Sequence, residues 1–334
     1  MENLQNTKIL ITGVAGLIGS HMAEYLVKKG YDVYGIDNLS GGYVENIPNR
    51  VSFHQGNLSN KDWLSDIFSK VKPDYVYHFA AYAAEGLSPF IRNFNYTSNL
   101  LCSVNVINEC IKNDVKKIIF TSSMAVYGEG EPPFNEFDQP SPEDPYGISK
   151  YAVEMDLKQA CSQFGLKYSI VRPHNVIGIR QNIWDKYRNV IGIWIRRVLK
   201  GENIIIFGDG KQKRAFSDIK FCLKPMEKLL TECDSQVFNL GSDKAYTLSG
   251  VATIVKNIAK EFGLNPKIEY LESRHEVKNA FCNHQKAKLL LDFKDETNLK
   301  ETIKEMFVWA MKQEDREVKQ MNYEIEKGLY SYWK

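Results

Sequence analysis

The 334-residue sequence contains no apolar run near the ~20 residues that a membrane-spanning helix requires. It has no surplus of either charge: 43 Lys and Arg stand against 41 Asp and Glu, for a formal net charge of +2. That balance argues against a nucleic-acid partner, and against a membrane surface that holds the protein by bulk charge. The opening Met-Glu-Asn-Leu-Gln-Asn has no basic stretch followed by an apolar core, so no signal peptide is expected. Six cysteines (Cys102, Cys110, Cys161, Cys222, Cys233 and Cys282) are scattered without a Cys-x-x-Cys pair. Neither a disulfide framework nor a zinc site is expected, and a reducing cytoplasmic setting fits. The six histidines show no ligand spacing, which gives no metal site and argues against a metal hydrolase. His275 and His284 read as surface residues. No repeat, low-complexity tract or Pro/Ser-rich linker interrupts the chain.

What the chain has is an alternation of short β-branched runs and amphipathic stretches. Lys8–Thr12 reads as a buried strand, and Leu17–Lys29 as a helix with Ile18, Met22 and Leu26 on one face and Gly30 as its stop. Strands follow at Asp32–Asp37, Val51–His54, Tyr75–Phe79, Lys117–Thr121 and Lys167–Arg172. Helices are expected over Lys61–Lys70, Asn93–Lys112 and Tyr146–Phe164. Such alternation requires right-handed crossovers and a parallel sheet covered on both faces. The fold class is therefore α/β, a Rossmann-like doubly wound sheet with its ligand site beyond the carboxyl ends of the strands. After about Pro173 the alternation weakens into a smaller mixed α/β domain. Trp184 and Trp194, with Ile191 and Ile195, read as a packing stripe, and Glu314–Lys334 as a surface helix with a docked tail.

Between the first strand and first helix lies Thr12-Gly13-Val14-Ala15-Gly16-Leu17-Ile18-Gly19. Gly13 permits a tight turn, Gly16 lets the backbone approach a pyrophosphate, and Gly19 lets the helix pack closely on the sheet. The helix start at Leu17 and Ile18 offers free N–H groups and partial positive charge to phosphates. Asp37 closes the second strand, where a carboxylate accepts hydrogen bonds from ribose hydroxyls and repels a 2′-phosphate. NAD is therefore expected over NADP.

The second motif is Tyr146-Gly147-Ile148-Ser149-Lys150, in which i, i+4 spacing puts the phenol and the ammonium on one helical face. A cation beside a phenol favours the phenolate, so Lys150 and a bound NAD⁺ are expected to draw Tyr146 toward neutrality as a general base. Upstream, Thr121-Ser122-Ser123-Met124-Ala125-Val126-Tyr127-Gly128 places hydroxyls at the carboxyl end of the fifth strand.

Together these motifs resemble the extended short-chain dehydrogenases/reductases, in the NAD-dependent nucleotide-sugar epimerase/dehydratase group. The pattern is most similar to the UDP-glucose 4-epimerases. The resemblance implies an NAD-binding domain over residues 1–174, carrying the catalytic Ser123, Tyr146 and Lys150, and a nucleotide-sugar-binding domain over 175–334. It implies cofactor contacts from Gly13, Gly16, Leu17, Ile18, Gly19, Asp37, Asn38, Asn57, Leu58, Phe79, Ala80, Ala81 and Asn99, with Tyr146 and Lys150. Ser123, Asn175, Arg214 in the Gly208-Asp209-Gly210 segment, and Arg274 are implied as substrate contacts. Two arginines suit a diphosphate, because guanidinium groups bind phosphate oxygens in bidentate fashion.

Several positions depart from the group's pattern: Asn57 stands for an Asp, Tyr82-Ala83 for a polar or basic residue, Leu101-Cys102-Ser103 for Asn-Gly-Thr, and Ala215 for an Asp. By the same resemblance, 4,6-dehydratases carry an Asp-Glu pair after the catalytic Ser, and glucuronate decarboxylases a Glu. Met124 and Ala125 stand there, and neither transfers a proton. The expected function is 4-epimerisation of a UDP-hexose-type substrate through a transient 4-keto sugar. The alternatives are a 4-dehydrogenase that releases the keto-sugar and a non-catalytic NAD-binding protein. A homodimer is expected through the helices Asn93–Lys112 and Tyr146–Phe164, with Leu100, Val104, Ile107, Val153, Leu157 and Cys161 as candidate core-facing or interface stripes.

Overall fold

Seven parallel strands form the central sheet of the computed structural model, which describes residues 6–274 and 276–333. Six of them come in chain order with their crossovers: β1 (Lys8–Thr12), β2 (Asp32–Asp37), β3 (Ser52–Gln55), β4 (Tyr75–His78), β5 (Lys117–Thr121) and β6 (Lys167–Pro173). The seventh strand, Gln236–Leu240, pairs with the outer side of β6, so the spatial order is Gln236–Leu240, β6, β5, β4, β1, β2, β3. The order reverses beside β1, and there a doubly wound sheet opens its ligand crevice.

Helices cover both faces, and local chemistry sets their ends. Helix α1 (Leu17–Lys29) stops at Gly30, whose φ of 91° lets its N–H return to the Leu26 and Val27 carbonyls. Asn60 caps α2 (Lys61–Val71) by accepting from the Trp63 amide at 3.2 Å. The long helix expected from Asn93 is continuous but not uniform: α3 (Arg92–Tyr96) passes through a π-helical turn, Thr97–Leu101, into α4 (Cys102–Lys112). Helix α5 (Pro145–Phe164) begins with Asp144 as cap and Pro at the first helical position, where the missing N–H costs nothing.

The two faces of the sheet bury separate apolar layers. One joins Ile9, Ile11, Met22 and Leu26 to the helix Ile219–Lys228; the other joins Leu10, Val76, Ile118 and Phe120 to α2, α4 and α5. A third layer lies outside the sheet, around Trp194, Ile195, Val251, Val255, Ile303 and Phe307, and takes in Trp184 and Ile191 as the stripe predicts. Because Gln236–Leu240 returns to the central sheet, a cut at residue 174/175 leaves one strand of that sheet on the far side.

Of the two readings open for the stripes, Ile107, Val153 and Leu157 are core-facing, because α4 and α5 pack on each other within one chain; the exposed apolar side chains on these helices are Ile148, Met155 and Phe164, with Leu101 on the adjoining π turn. Two expectations are corrected. His284 is not at the surface: it is 1% exposed, stacks on His174 at 4.9 Å and bonds Asp243 at 2.8 Å. His275 lies outside the described residues. No helix forms in 314–333 apart from a 3₁₀ turn at Ser331–Trp333.

Within the α5 face stands a buried ion pair. The Arg172 guanidinium on β6 donates to both Glu154 oxygens, at 2.9 and 2.6 Å, and the Ser122 hydroxyl donates to the same carboxylate at 2.5 Å. Removing one partner strands a charge in the core, whereas removing both does not. Glu154→Ala is expected to destabilise the protein by about 3–5 kcal/mol in urea denaturation, and Glu154→Leu with Arg172→Met to recover much of that loss. Equal loss in the single and double variants would contradict this account.

Candidate active site

The glycine loop takes the form that its spacing predicts. Gly13 has a φ of 74°, and a Cβ there would lie 2.7 Å from the Ala80 amide nitrogen; a Cβ on Gly19 would overlap the Gly13 carbonyl. Only glycine lets β1, α1 and the β4 exit come this close. Gly16 caps α1 with no side-chain hydrogen bond and no acidic residue in the first turn, so the amides at Leu17 and Ile18 are left to an anion. At the end of β2, Asp37 accepts from the Ala15 amide at 3.0 Å and the Leu39 amide at 2.8 Å. Burial pushes its carboxyl up against those bonds and the Arg188 cation. Asn38, Asn57, Leu58, Phe79, Ala80 and Ala81 line the same cavity, and Asn57 gives one lone pair to the Ser59 amide at 2.9 Å. A loop that only glycine fits, an uncapped helix start and a strand-end carboxylate together fit the pyrophosphate and ribose of a dinucleotide.

The cavity is about 890 Å³, at the upper end of ordinary small-molecule sites, and Ser123, Tyr146 and Lys150 line it beside the glycine loop. The Asp144 carboxylate accepts the Tyr146 and Gly147 amides at 2.8 and 3.1 Å, so the cap of α5 fixes Tyr146. Ser123 draws the Tyr146 phenol downward and accepts from the Ala125 amide at 3.1 Å. Lys150 is 2% exposed, donates to the Thr121 carbonyl at 2.8 Å, and stands 5.9 Å from the Tyr146 ring centre. Burial draws its amine down to about 7 against the pull of Glu154.

The expected lowering of the phenol is not built into these residues. Burial pushes Tyr146 well up, and Glu85 and Asp144 push the same way; Ser123 and the Arg188 cation oppose them. The chain's own groups hold Tyr146 protonated.

Asn99 is fully buried and does not line the cavity. Its amide accepts from the Tyr82 N–H at 2.7 Å and donates to the Tyr82 carbonyl at 3.1 Å, so it holds the loop after β4 from behind. Beside it, His78 bonds Thr12 at 2.7 Å and Ser103 at 2.8 Å, while Ser103 donates to the Asn99 carbonyl at 2.7 Å. With the Ser103 proton spent there, His78 Nε2 carries the ring proton and Nδ1 accepts from Thr12. Burial, with Lys150 nearby, draws this imidazole down to about 3.

Asn175, Arg214 and Arg274 line the other arm of the cavity. Asn175 donates to the Ala215 carbonyl at 3.0 Å. Arg214 donates to the Val277 carbonyl at 2.6 Å and lies 3.6 Å from Glu276. Arg274 lies flat on Phe207, 3.7 Å from its centre, with Trp333 at 5.5 Å and Tyr330 at 5.9 Å.

Motif reading misses three contributors to the cavity. Arg188, held by Asp185 at 2.8 Å, lies over the Tyr82 ring at 4.7 Å and abuts Gly41, bringing a cation to the loop where Ala83 has none. Tyr330, Tyr332 and Trp333 come from the segment expected to be only a docked tail. That segment lays Lys319 on the Ser40 carbonyl at 3.1 Å and Glu324 on the Asn93 and Phe94 amides at 2.7 and 2.8 Å. Glu85 is the third. None belongs to a motif; the aromatic density of Tyr323–Trp333 is the one sequence signal that marks a packed segment.

Comparison with known proteins places these features in company. The profile of the NAD-dependent epimerase/dehydratase family matches residues 9–241. The chain is 31% identical to the UDP-glucose 4-epimerase of Halalkalibacterium halodurans over 75% of this chain and 80% of that one. It superposes on the crystal structure of the Thermotoga maritima UDP-glucose 4-epimerase with UDP-glucose at a TM-score of 0.86 and 33% identity, covering 91% of this chain and 99% of the other. The UDP-glucuronic acid 4-epimerase of Bacillus cereus, with UDP-glucuronic acid and NAD, superposes at 0.82 with 26% identity over 91% and 99%.

The His78 assignment is directly measurable. Nitrogen-15 NMR is expected to show a neutral imidazole protonated at Nε2 from pH 8 down to 5. An imidazolium signal at pH 6, or the Nδ1–H tautomer, would contradict the Thr12–His78–Ser103 chain.

Proposed function

The chain belongs to the NAD-dependent epimerase/dehydratase family, with NAD as its cofactor, and from that premise we propose that it is a nucleotide-sugar 4-epimerase acting on a UDP-hexose-type substrate. One observation carries the proposal. Ser123, Tyr146 and Lys150 line the same cavity as the glycine loop, and the residues after Ser123 are Met124 and Ala125, which offer no proton for dehydration.

In this reading the glycine loop, the start of α1, Asp37 and Arg188 hold the dinucleotide. Asn175, Arg214 and Arg274 hold the diphosphate of the substrate. Ser123 orients the sugar 4-hydroxyl, and Tyr146 removes its proton and later returns it. NAD, when bound, supplies the hydride acceptor and then the donor at the sugar carbon. Because burial holds the Tyr146 phenol protonated, the base form needs positive charge from its surroundings. Lys150, drawn down to about 7, can carry that charge or release its proton near neutral pH. The keto-sugar turns within the cavity between the two half-reactions, while the arginines keep its diphosphate anchored.

We further propose a homodimer, assembled through the exposed Leu101, Ile148 and Met155 rather than the buried stripes. Light scattering is expected to give twice the 38.4 kDa chain mass, and Leu101→Glu with Met155→Glu to halve it. A monomeric parent protein would reject the arrangement.

The catalytic assignment is tested with a panel of nucleotide sugars, reading epimer or ketone by proton NMR. Tyr146→Phe is expected to keep the fold and the NAD content but lose about 10²–10⁴-fold in turnover, the usual worth of a positioned acid–base group. Ser123→Ala should lose less, because it removes an aligning hydrogen bond and leaves the base. Near-normal turnover in Tyr146→Phe would move the chemistry elsewhere. Accumulation of ketone with NADH in the parent protein would make it a dehydrogenase.

A further inference from the structure

One carboxylate in the cavity has no task in the scheme above. Glu85 opens the short 3₁₀ helix Glu85–Phe90, between the exit of β4 and α3, and lines the cavity together with Ser123, Tyr146 and Glu143. Among the described residues its carboxylate has neither an ion pair nor a hydrogen bond.

Its position is fixed relative to the chemistry. Ser88, on the same short helix, donates to the Asp144 carboxylate at 3.0 Å and accepts from the Tyr146 amide at 3.2 Å. The turn that carries Glu85 is thus pinned to the cap that sets Tyr146. Glu85 raises the Tyr146 phenol and interacts electrostatically with Arg214 and Glu276 on the opposite arm. It shares one cavity with the proposed base and with the proposed diphosphate arginines, which a bound sugar nucleotide has to bridge.

Resting on the reading that this cavity takes a nucleotide sugar, we propose that Glu85 is a specificity-determining residue whose carboxylate accepts hydrogen bonds from a neutral or amino-bearing sugar and bars a uronic acid. An unpaired carboxylate in a confined site gains from a hydroxyl or ammonium donor. A second carboxylate brought beside it is repelled and leaves both without donors, so the rejected ligand is excluded by an unfavourable contact rather than by a missing favourable one. The neighbouring charges reinforce this. Glu143 and Asp144 face Glu85 from the start of α5, and Glu276 from the far arm; Arg214 is the one cation among its leading partners. The Arg214 guanidinium is held by the Lys213, Val277 and Lys278 carbonyls and assigned to the diphosphate, so it does not pair with Glu85. Desolvation within the crowded cavity and Asp144 raise the Glu85 carboxyl, although its side chain is exposed to the cavity, so the repulsion is expected to switch on as pH rises.

The test is calorimetric binding of UDP-glucose and UDP-glucuronate to the NAD-loaded protein. At pH 8 the uronate is expected to bind at least about tenfold more weakly, a common size for a like-charge contact at a binding site. Glu85→Gln, which keeps the shape and removes the charge, should close the gap to within about threefold, chiefly by tightening the uronate. In the parent protein alone the gap should narrow as pH falls from 8 to 6, because Glu85 takes up a proton, and this dependence should vanish in Glu85→Gln. Equal or tighter binding of the uronate by the parent protein at pH 8, or a gap unchanged in Glu85→Gln, would overturn the proposal. Binding is read without turnover, so failure to epimerise any sugar counts against the proposed reaction, whereas loss of discrimination counts against Glu85.

Discussion

The Glu154–Arg172 ion pair joins the two elements whose relative position defines this site. Glu154 sits one turn beyond Lys150 on α5, and Arg172 sits on β6, next to β5, whose end leads directly into Ser122 and Ser123. The bidentate contact, with Ser122 as a third donor on the same carboxylate, sets how far α5 can slide along the sheet. Tyr146, Lys150 and Ser123 meet only at one register of helix on strand. Packing of Val153 and Leu157 against Ile118 and Phe120 is apolar and tolerates small shifts. The ion pair does not, because a displaced charge in the core has no alternative partner.

A second constraint runs through neutral groups. Thr12, His78, Ser103 and Asn99 form a buried chain from β1 to the π turn before α4. Asn99 grips Tyr82 on both backbone atoms, and Ser88 ties the following turn to Asp144. The loop after β4, which passes between the cofactor and substrate arms, is thus held from behind at both ends. Its cavity-facing positions (Ala80, Ala81, Ala83 and Glu85) are left to the ligand side.

The sequence makes the Rossmann-like half legible because its signals are local. Strand runs ending in glycine or hydroxyl residues, the Gly13/Gly16/Gly19 spacing and the helix that carries Tyr146 and Lys150 are each read from a few neighbouring residues, and the structure has them within a residue or so of where they are expected. Contributors to the cavity that depend on distant pairings are not legible. Arg188 reaches its place through Asp185 and Tyr82, and Glu85 matters only because Ser88 meets Asp144. His284 looks like one more polar residue near a charged helix until His174 and Phe293 close over it. Asn99 shows the reverse case: its location is legible, but its two-sided bond to Tyr82 makes it a brace. The Tyr146–Lys150 spacing likewise holds, while the burial that pushes the phenol up and the Thr121 carbonyl that engages Lys150 depend on distant packing that the spacing does not show.

The segment 314–333 touches the loop at Ser40, the start of α3 and the aromatic patch around Arg274, so it spans the mouth of the cavity from cofactor side to substrate side. Its contacts are carried by a chain with almost no hydrogen-bonded regular structure of its own. Such a segment detaches by peeling from its neighbours, and each contact released makes the next easier to lose. Widening the mouth on this side is therefore a local unfolding event with its own free energy, distinct from the stability of the sheet beneath.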